Sequence, residues 1–369
     1  MPVTSNVSER IAVVGPSAEA VASLRGDLIG ALTARGHRVL CLTPPGPGRH
    51  GRALRGLGAL HRMLEPPQPS FRKLTDWQAV NALVAQFKDW QPNIVMGFGL
   101  DTLTAAALAA RKAEVRRVVS LVNALPSDGI ASVSRTRFAE ALRVSDAIVF
   151  HNSENRRELT RLGLVPPRLM VMVVPGAGVD LERYAAAPLP PTESGLVFLM
   201  IARLERRRGV LEFAAAAESL KARWPQATFR LAGPPSPAPD AIAPDEITSR
   251  RIVEYLGHLE DVRPALAACH VFVYPAYVEG MPRAVLEALA TGRPVITTQT
   301  PGCAITVDEK VSGCLVPPAD VPALAAAMES YLAHPASLAT GARAARLKAE
   351  RRFDVADVNA SLFRALGVD

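Results

Sequence analysis

Cysteine is scarce in these 369 residues: Cys41, Cys269, Cys303 and Cys314 are the only four, and they are scattered. Thiols so spread build neither a disulfide framework nor a zinc cluster, so the expectation is a reduced, cytoplasmic protein. Aromatics make up 5% of the chain. That is too few for the stacking platforms of a single-strand groove, and no nucleic-acid partner is expected. No apolar run approaches the roughly 18 residues of a membrane span. The stretch Met1 to Arg10 is polar and lacks the charged-then-apolar pattern of a signal segment. Gly15-Pro16-Ser17-Ala18 stands where a dinucleotide oxidoreductase carries Gly-x-Gly-x-x-Gly. Walker loop, Gly-x-Ser-x-Gly elbow and Asp-x-Asp pair are also missing, and the seven histidines show no ligand spacing. No metal is therefore expected.

What is present is ordinary globular material, 49% hydrophobic and 21% charged, and long enough for two domains. The net charge of +7 is uneven. Residues 1–180 hold 22 Lys and Arg against 14 Asp and Glu, whereas residues 181–369 hold 20 against 21. A basic first half either keeps the protein soluble or faces something anionic.

Strand-length apolar runs alternate with helical spacing along the chain. Residues 11–15, 38–43, 93–98, 116–122 and 146–150 read as buried parallel strands, with helical patterns between them. The Gly-, Pro- and Arg-rich stretch 44–72 breaks the rhythm and reads as a loop with one helix over 52–64. Residues 185–195 read as a semi-rigid, solvated linker. Beyond it the alternation restarts, with strands at 196–201, 227–232, 252–256, 271–275 and 294–298. The expected fold is α/β: two Rossmann-like doubly wound domains, 1–185 and 186–352, facing a cleft. A last helix within 353–369 either packs back on the first domain or completes the second.

Four stretches could carry chemistry. Glu279 to Pro294 follows a strand and opens a helix. Pro282 suits the first helical turn, and the amides of Gly280 and Met281 then form an electropositive end for hydroxyls or phosphate. Glu279 and Glu287 either hold two parts of one polar ligand or are a cap and a solvated face residue. Arg203 and Arg208, at the end of the second half's first strand, suit a diphosphate, while Arg206 and Arg207 read as solvated. Pro301-Gly302-Cys303 offers further amides, with Cys303 either reactive or a small filler. The glycines of Pro175 to Asp180 mark unusual backbone angles or a hinge.

At these residues the chain resembles the retaining glycosyltransferases of family 4, which have two Rossmann-like domains (the GT-B type). EGMPRAVLEALATGRPVITT and PGC are similar to a bacterial subgroup that extends lipid-linked oligosaccharides. LRGDLIGALTARGHRVL, NSENRRELTRLGL and VVPGAGVDLERY extend the likeness over roughly residues 10–366. The resemblance implies that Arg203 and Arg208 neutralise the donor diphosphate, the family usually having Lys at the latter. It implies that Glu287 binds the ribose hydroxyls, and that Glu279 with Gly280, Met281 and Pro282 holds the sugar. Gly302 and Cys303 join the donor site. No cofactor and no metal are implied, only a nucleotide-sugar co-substrate, UDP-linked. Ala304 and Ile305 replace the Arg-Glu that often follows Pro-Gly-Cys, Asn123 stands where many relatives carry His, and 97–104 is unlike the pattern. Asn cannot serve as a base.

The leading expectation is thus a hexosyl- or N-acetylhexosaminyltransferase acting with retention on a lipid-linked or glycan acceptor. An epimerase or hydrolase of the same architecture, and a degenerate sugar-nucleotide binding protein, remain open at this stage. The basic excess points to a peripheral contact with the anionic inner face of the cytoplasmic membrane. Arg49, Arg52, Arg55, Arg62, Arg72 and Lys73, with their leucines, are the candidates for it.

Overall fold

The computed structural model describes residues 8–64, 77–125 and 135–369, save Arg168, Arg250 and Glu279. The chain divides into two compact units, one of Met1–Ala177 with Val355–Asp369 and one of Gly178–Asp354. The division falls eight residues ahead of the expected 185/186 boundary.

In the first unit the order is β1 (Arg10–Val14), α1 (Ala18–Ala34), β2 (Arg38–Thr43), α2 (Gly48–Gly56), β3 (Leu60–Met63), α3 (Trp77–Trp90) and β4 (Ile94–Phe98). It continues with α4 (Leu100–Lys112), β5 (Arg117–Val122), α5 (Arg135–Arg143), β6 (Ala147–Phe150), α6 (Ser153–Arg161) and β7 (Met170–Val173). All seven strands pair in parallel, in the order β3-β2-β1-β4-β5-β6-β7. The inner strands are apolar on both faces because helices cover both. Ser17 starts α1 by accepting the Ala20 N–H at 3.0 Å.

The second unit runs β8 (Val197–Ile201), α7 (Val210–Lys221), β9 (Thr228–Ala232), α8 (Pro244–Thr248), β10 (Val253–Tyr255), α9 (Arg263–Ala267) and β11 (Val271–Tyr274). Then come α10 (Arg283–Ala290), β12 (Val295–Thr298), α11 (Pro301–Ala304), β13 (Gly313–Val316), α12 (Val321–Ala333) and α13 (Ser337–Arg352). Its sheet is parallel too, ordered β10-β9-β8-β11-β12-β13. The last helix, α14 (Val355–Leu366), belongs to the first unit. Val358, Leu362, Phe363 and Leu366 are buried in the cluster that holds Val13, Ile29 and Met96.

One expectation gives way here and another is refined. The helix read over 52–64 ends at Gly56, and 60–63 is an edge strand paired with β2. Gly58, at φ +83°, takes a left-handed conformation that stops the helix. The 185–195 segment is mostly exposed, as expected, but its start is anchored. Arg293, fully buried, donates from Nη2 to the Pro188 carbonyl at 2.8 Å and from Nε to the Leu266 carbonyl at 2.8 Å. The Ala187 N–H donates to the Thr291 carbonyl at 3.1 Å. Arg346 Nη1 donates to the carbonyls of Tyr184 at 3.0 Å and Ala290 at 2.8 Å. Buried carbonyls need such partners, and the two guanidinium groups supply them. Among the described residues no helix is long and apolar enough to cross a membrane.

Candidate functional site

Strand order in the second unit reverses between β8 and β11, and ligands of such sheets bind beyond the carboxyl ends of the strands at that point. The loop after β8 carries Arg203 to Gly209, and the loop after β11 carries Pro275 to Pro282. The two loops touch. Gly209 sits at φ +77°, and a Cβ there would lie 2.2 Å from the Pro275 carbonyl oxygen, so only glycine fits.

The arginine loop is organised around Glu205, which is 1% exposed. Its Oε2 accepts from Arg207 Nε at 2.9 Å and Arg208 Nε at 3.3 Å, and its Oε1 from Ser236 Oγ at 2.7 Å. Burial works to raise the Glu205 pKa, but the Ser236 hydroxyl and the guanidinium groups of Arg208 and Arg207 outweigh it, so the carboxyl is held below its ordinary value. Arg208 Nη1 also donates to the Tyr274 hydroxyl at 3.1 Å. Arg208 is thereby fixed from two sides while about a quarter of it stays open, at 24% side-chain exposure. Arg203 is exposed at the end of β8. Arg206 is exposed and paired with Glu246 at 3.2 Å. Arg207, expected to be solvated, is half-exposed but bonded to Glu205.

The opening of α10 differs in detail from the expectation. Pro282 is the residue before the helix rather than in its first turn, with φ −73° and ψ 119°. The first intrahelical bonds run from the Val285 and Leu286 amides to the Pro282 carbonyl, so the preceding amides lie outside the ladder. Gly280 and Met281 are buried beside them. Glu279 lies outside the described residues. Glu287 is 8% exposed rather than solvated, and accepts from Arg283 Nε at 2.8 Å. Burial pushes its carboxyl above the ordinary range, against the pull of Arg283 and of a hydrogen bond from Tyr184. Tyr184 and Arg283 were missed from the sequence, as were Glu205 and Tyr274. Tyr274 alone left a signal, being the last residue of a strand that leads into the site.

Gly302 and Cys303 are buried in the four-residue α11. The Cys303 amide already donates to the Thr300 carbonyl at 3.0 Å, so it is not an open donor. Burial pushes the thiol up, with hydroxyls of Thr300, Thr297 and Thr298 opposing. That is a filler's environment, not a nucleophile's.

In the first unit, Asn123 follows β5. Its carbonyl accepts from Asn155 Nδ2 at 3.4 Å, and its Oδ1 is buried with no partner among the described residues. His151, directly after β6, accepts from the buried Arg25 guanidinium. Burial, then Arg25, holds its pKa well below the ordinary value, so the imidazole is neutral. Arg49, Arg52 and Arg55 are exposed on α2, a helix without an acidic residue. The leucines of that stretch mostly face inward, Leu54 being fully buried, while Leu60 and Met63 are 47% and 52% exposed on β3. Arg62 is not free for a surface, since it pairs with Asp89 at 2.6 Å and Gln86 at 3.1 Å. Arg72 and Lys73 lie outside the described residues. Among the described residues no three His, Cys, Asp or Glu side chains gather as a metal would need.

Known proteins carry the same pattern. Residues 21–177 match the family model described as a glycosyl transferase 4-like domain, and residues 195–334 the one described as glycosyl transferases group 1. Glycogen synthase of Mycobacterium tuberculosis is 29% identical over 296 residues, 75% of this chain and 70% of that one. The N,N'-diacetylbacillosaminyl-diphospho-undecaprenol alpha-1,3-N-acetylgalactosaminyltransferase of Campylobacter jejuni is 24% identical over 324 residues, 82% of this chain and 84% of that one. Among solved structures, Anabaena HepE in complex with UDP and glucose aligns with a TM-score of 0.78 at 20% identity, covering 97% of this chain and 99% of that one. That last likeness is one of fold, the GT-B pair of Rossmann-like units.

Proposed function

The chain belongs to the glycosyltransferases that join a 4-like domain to a group 1 domain, and on that premise we propose that it moves a hexose or N-acetylhexosamine, with retention, from a UDP-linked donor to a lipid-linked or glycan acceptor. The observation that carries the reading is Arg208, held between Glu205 and Tyr274 where the strand order reverses. A guanidinium fixed before the substrate arrives needs no reorganisation when charge develops on a leaving diphosphate, which is how such a group lowers a barrier. Arg203 and Arg208 take the diphosphate, and Glu287 the ribose hydroxyls. Glu279, Gly280, Met281 and Pro282 take the sugar as it passes through an oxocarbenium-like state. Arginines carry the neutralising role here without a metal.

The C. jejuni relative, whose name gives a diphospho-undecaprenol acceptor, supports the lipid-linked reading. The M. tuberculosis glycogen synthase favours a second one, a glucan acceptor. The test is a thermal-shift screen of UDP, GDP and ADP sugars, then transfer assays on an undecaprenyl-diphosphate-linked N-acetylhexosamine and on glycogen. An anomeric configuration that inverts in the product, or no transfer to either acceptor, overturns the proposal.

The exposed Arg49, Arg52 and Arg55, beside Leu60 and Met63, suit a peripheral contact with an anionic cytoplasmic membrane face. At about 1 kcal/mol per basic residue, neutralising all three weakens vesicle binding by roughly 3 kcal/mol. Sedimentation with phosphatidylglycerol vesicles that is unchanged in the triple Gln variant removes this contact.

A further inference from the structure

The loop that opens α10 is tied to the arginine loop by two bonds that the donor-site assignment does not use. The Tyr277 N–H donates to the Arg207 carbonyl at 2.9 Å, and the Tyr277 hydroxyl donates to Glu212 Oε1. Glu212 lies in the first turn of α7, one turn beyond Gly209. Tyr277 therefore bridges the segment after β11 to the helix that follows the β8 loop, a few residues from where Gly209 rests on Pro275. Burial, reinforced by Glu212, pushes the phenol up to about 12, so it keeps its proton and donates at neutral pH. The second Glu212 oxygen, Oε2, is buried with no partner among the described residues. A buried carboxyl oxygen without a partner is costly. The tyrosine hydroxyl satisfies the other one.

We propose that Tyr277 and Glu212 are a positioning pair that holds the sugar-side loop, at Val278 and 280–282, in register with the diphosphate-side loop, 203–208. The proposal rests on the donor-site reading above. Neither side chain need touch the donor. The pair acts through the backbone on either side of the strand-order reversal, and sub-ångström placement of reacting groups is what such scaffolding secures. Nucleotide binding, which the arginines and Glu287 carry, survives without the pair, whereas transfer slows.

Tyr277→Phe keeps the ring and removes the donor, Glu212→Ala removes the acceptor, and Glu212→Gln keeps an acceptor oxygen. UDP calorimetry, thermal melting and UDP release from UDP-glucose, UDP-galactose and the two UDP-N-acetylhexosamines read the outcome. Tyr277→Phe and Glu212→Ala should each lower kcat about tenfold. UDP affinity should stay within about twofold, the scatter expected of an uncoupled site. The double variant should be no slower than the slower single one, and Glu212→Gln should restore the rate. Amide hydrogen exchange should quicken in the sugar-side loop in Tyr277→Phe while β8 and β11 stay protected. Unchanged exchange, additive losses, or a rate that falls only in step with UDP affinity or melting temperature overturns the pair. Arg208→Ala with full UDP affinity would instead overturn the donor-site reading, and exchange in the sugar-side loop would still decide the tie.

Discussion

Exchanging Glu287 for Gln should leave the protein about as stable as before while weakening its hold on UDP. The residue is 8% exposed, and among the described residues Arg283 is its charge partner at bonding distance, at 2.8 Å. Burial dominates, so the folded-state pKa is raised. The sign follows directly. A raised carboxyl contributes most favourably below its unfolded value, about 4.3, and loses that contribution as the pH rises through the folded value. Burial makes the ionised form a net burden that a neutral amide of the same shape relieves, while the charge facing Arg283 is lost. The two opposed effects should leave stability within about 1 kcal/mol, a melting change of no more than roughly 2–4 °C. If the carboxylate accepts two ribose hydroxyls, each charge-assisted bond is worth about 1.5–2 kcal/mol. The Gln variant keeps one acceptor and loses about 10- to 30-fold in UDP affinity. The Ala variant loses two to three orders of magnitude, roughly 3–4 kcal/mol. Calorimetric titration with UDP and melts between pH 4 and 8 measure both effects. Full UDP affinity in the Ala variant would refute the ribose role. A Gln variant melting far below the wild type would show the carboxylate to be a strut for Arg283 and Tyr184 instead.

Gly209→Ala puts a Cβ 2.2 Å from the Pro275 oxygen at φ +77°. It should cost at least about 2 kcal/mol in thermal melts and reduce UDP affinity as the loops part. Glu205, whose folded pKa is depressed, contributes stability above its unfolded value that is lost as the pH falls through the folded one. Glu205→Gln should therefore melt about 1–2 kcal/mol below the wild type at pH 7, with the gap closing below about pH 4.5. Burial pushes the thiols of Cys41 and Cys269 up to about 12 and that of Cys303 above its ordinary value. A thiol reagent at pH 7 should leave all three untouched until the protein unfolds, and rapid labelling of Cys303 would contradict its role as a filler.

Parallel sheets and their alternation were legible because runs such as those at 11–14 and 39–43 are apolar on both faces, a pattern that buried parallel strands require. The 52–64 helix was misread because leucines every third residue satisfy a helical template, and the left-handed turn at Gly58 overrides it. Docking of the 185–195 segment left no trace in the sequence. Its bonds are the Arg293 guanidinium to the Pro188 carbonyl and the Ala187 amide to the Thr291 carbonyl, main-chain groups that every residue has. Arg203 and Arg208 could be picked out by their place after a strand end, and Glu287 by its spacing from Glu279 in a stretch that resembles the family motif. Their partners could not, because Tyr274 is 66 residues from Arg208 and Ser236 is 31 from Glu205, and pairs so distant meet only through topology.

The place of α14 bears on how the protein is made. Val358, Leu362, Phe363, Ala365 and Leu366 complete the core of a unit whose sheet is translated before Gly178. At about 5–20 residues per second, the ribosome needs roughly 10–35 seconds to deliver the intervening second unit before that helix exists. Through that interval the apolar residues of α1, β5 and β6 that the helix covers, in the cluster of Ile29, Leu121 and Val149, lack that cover. The second unit, contiguous in sequence, can close as soon as α13 emerges. The order of folding is thus set against the order of synthesis: the half made first is the half finished last, and it is the half with most need of a chaperone on the way.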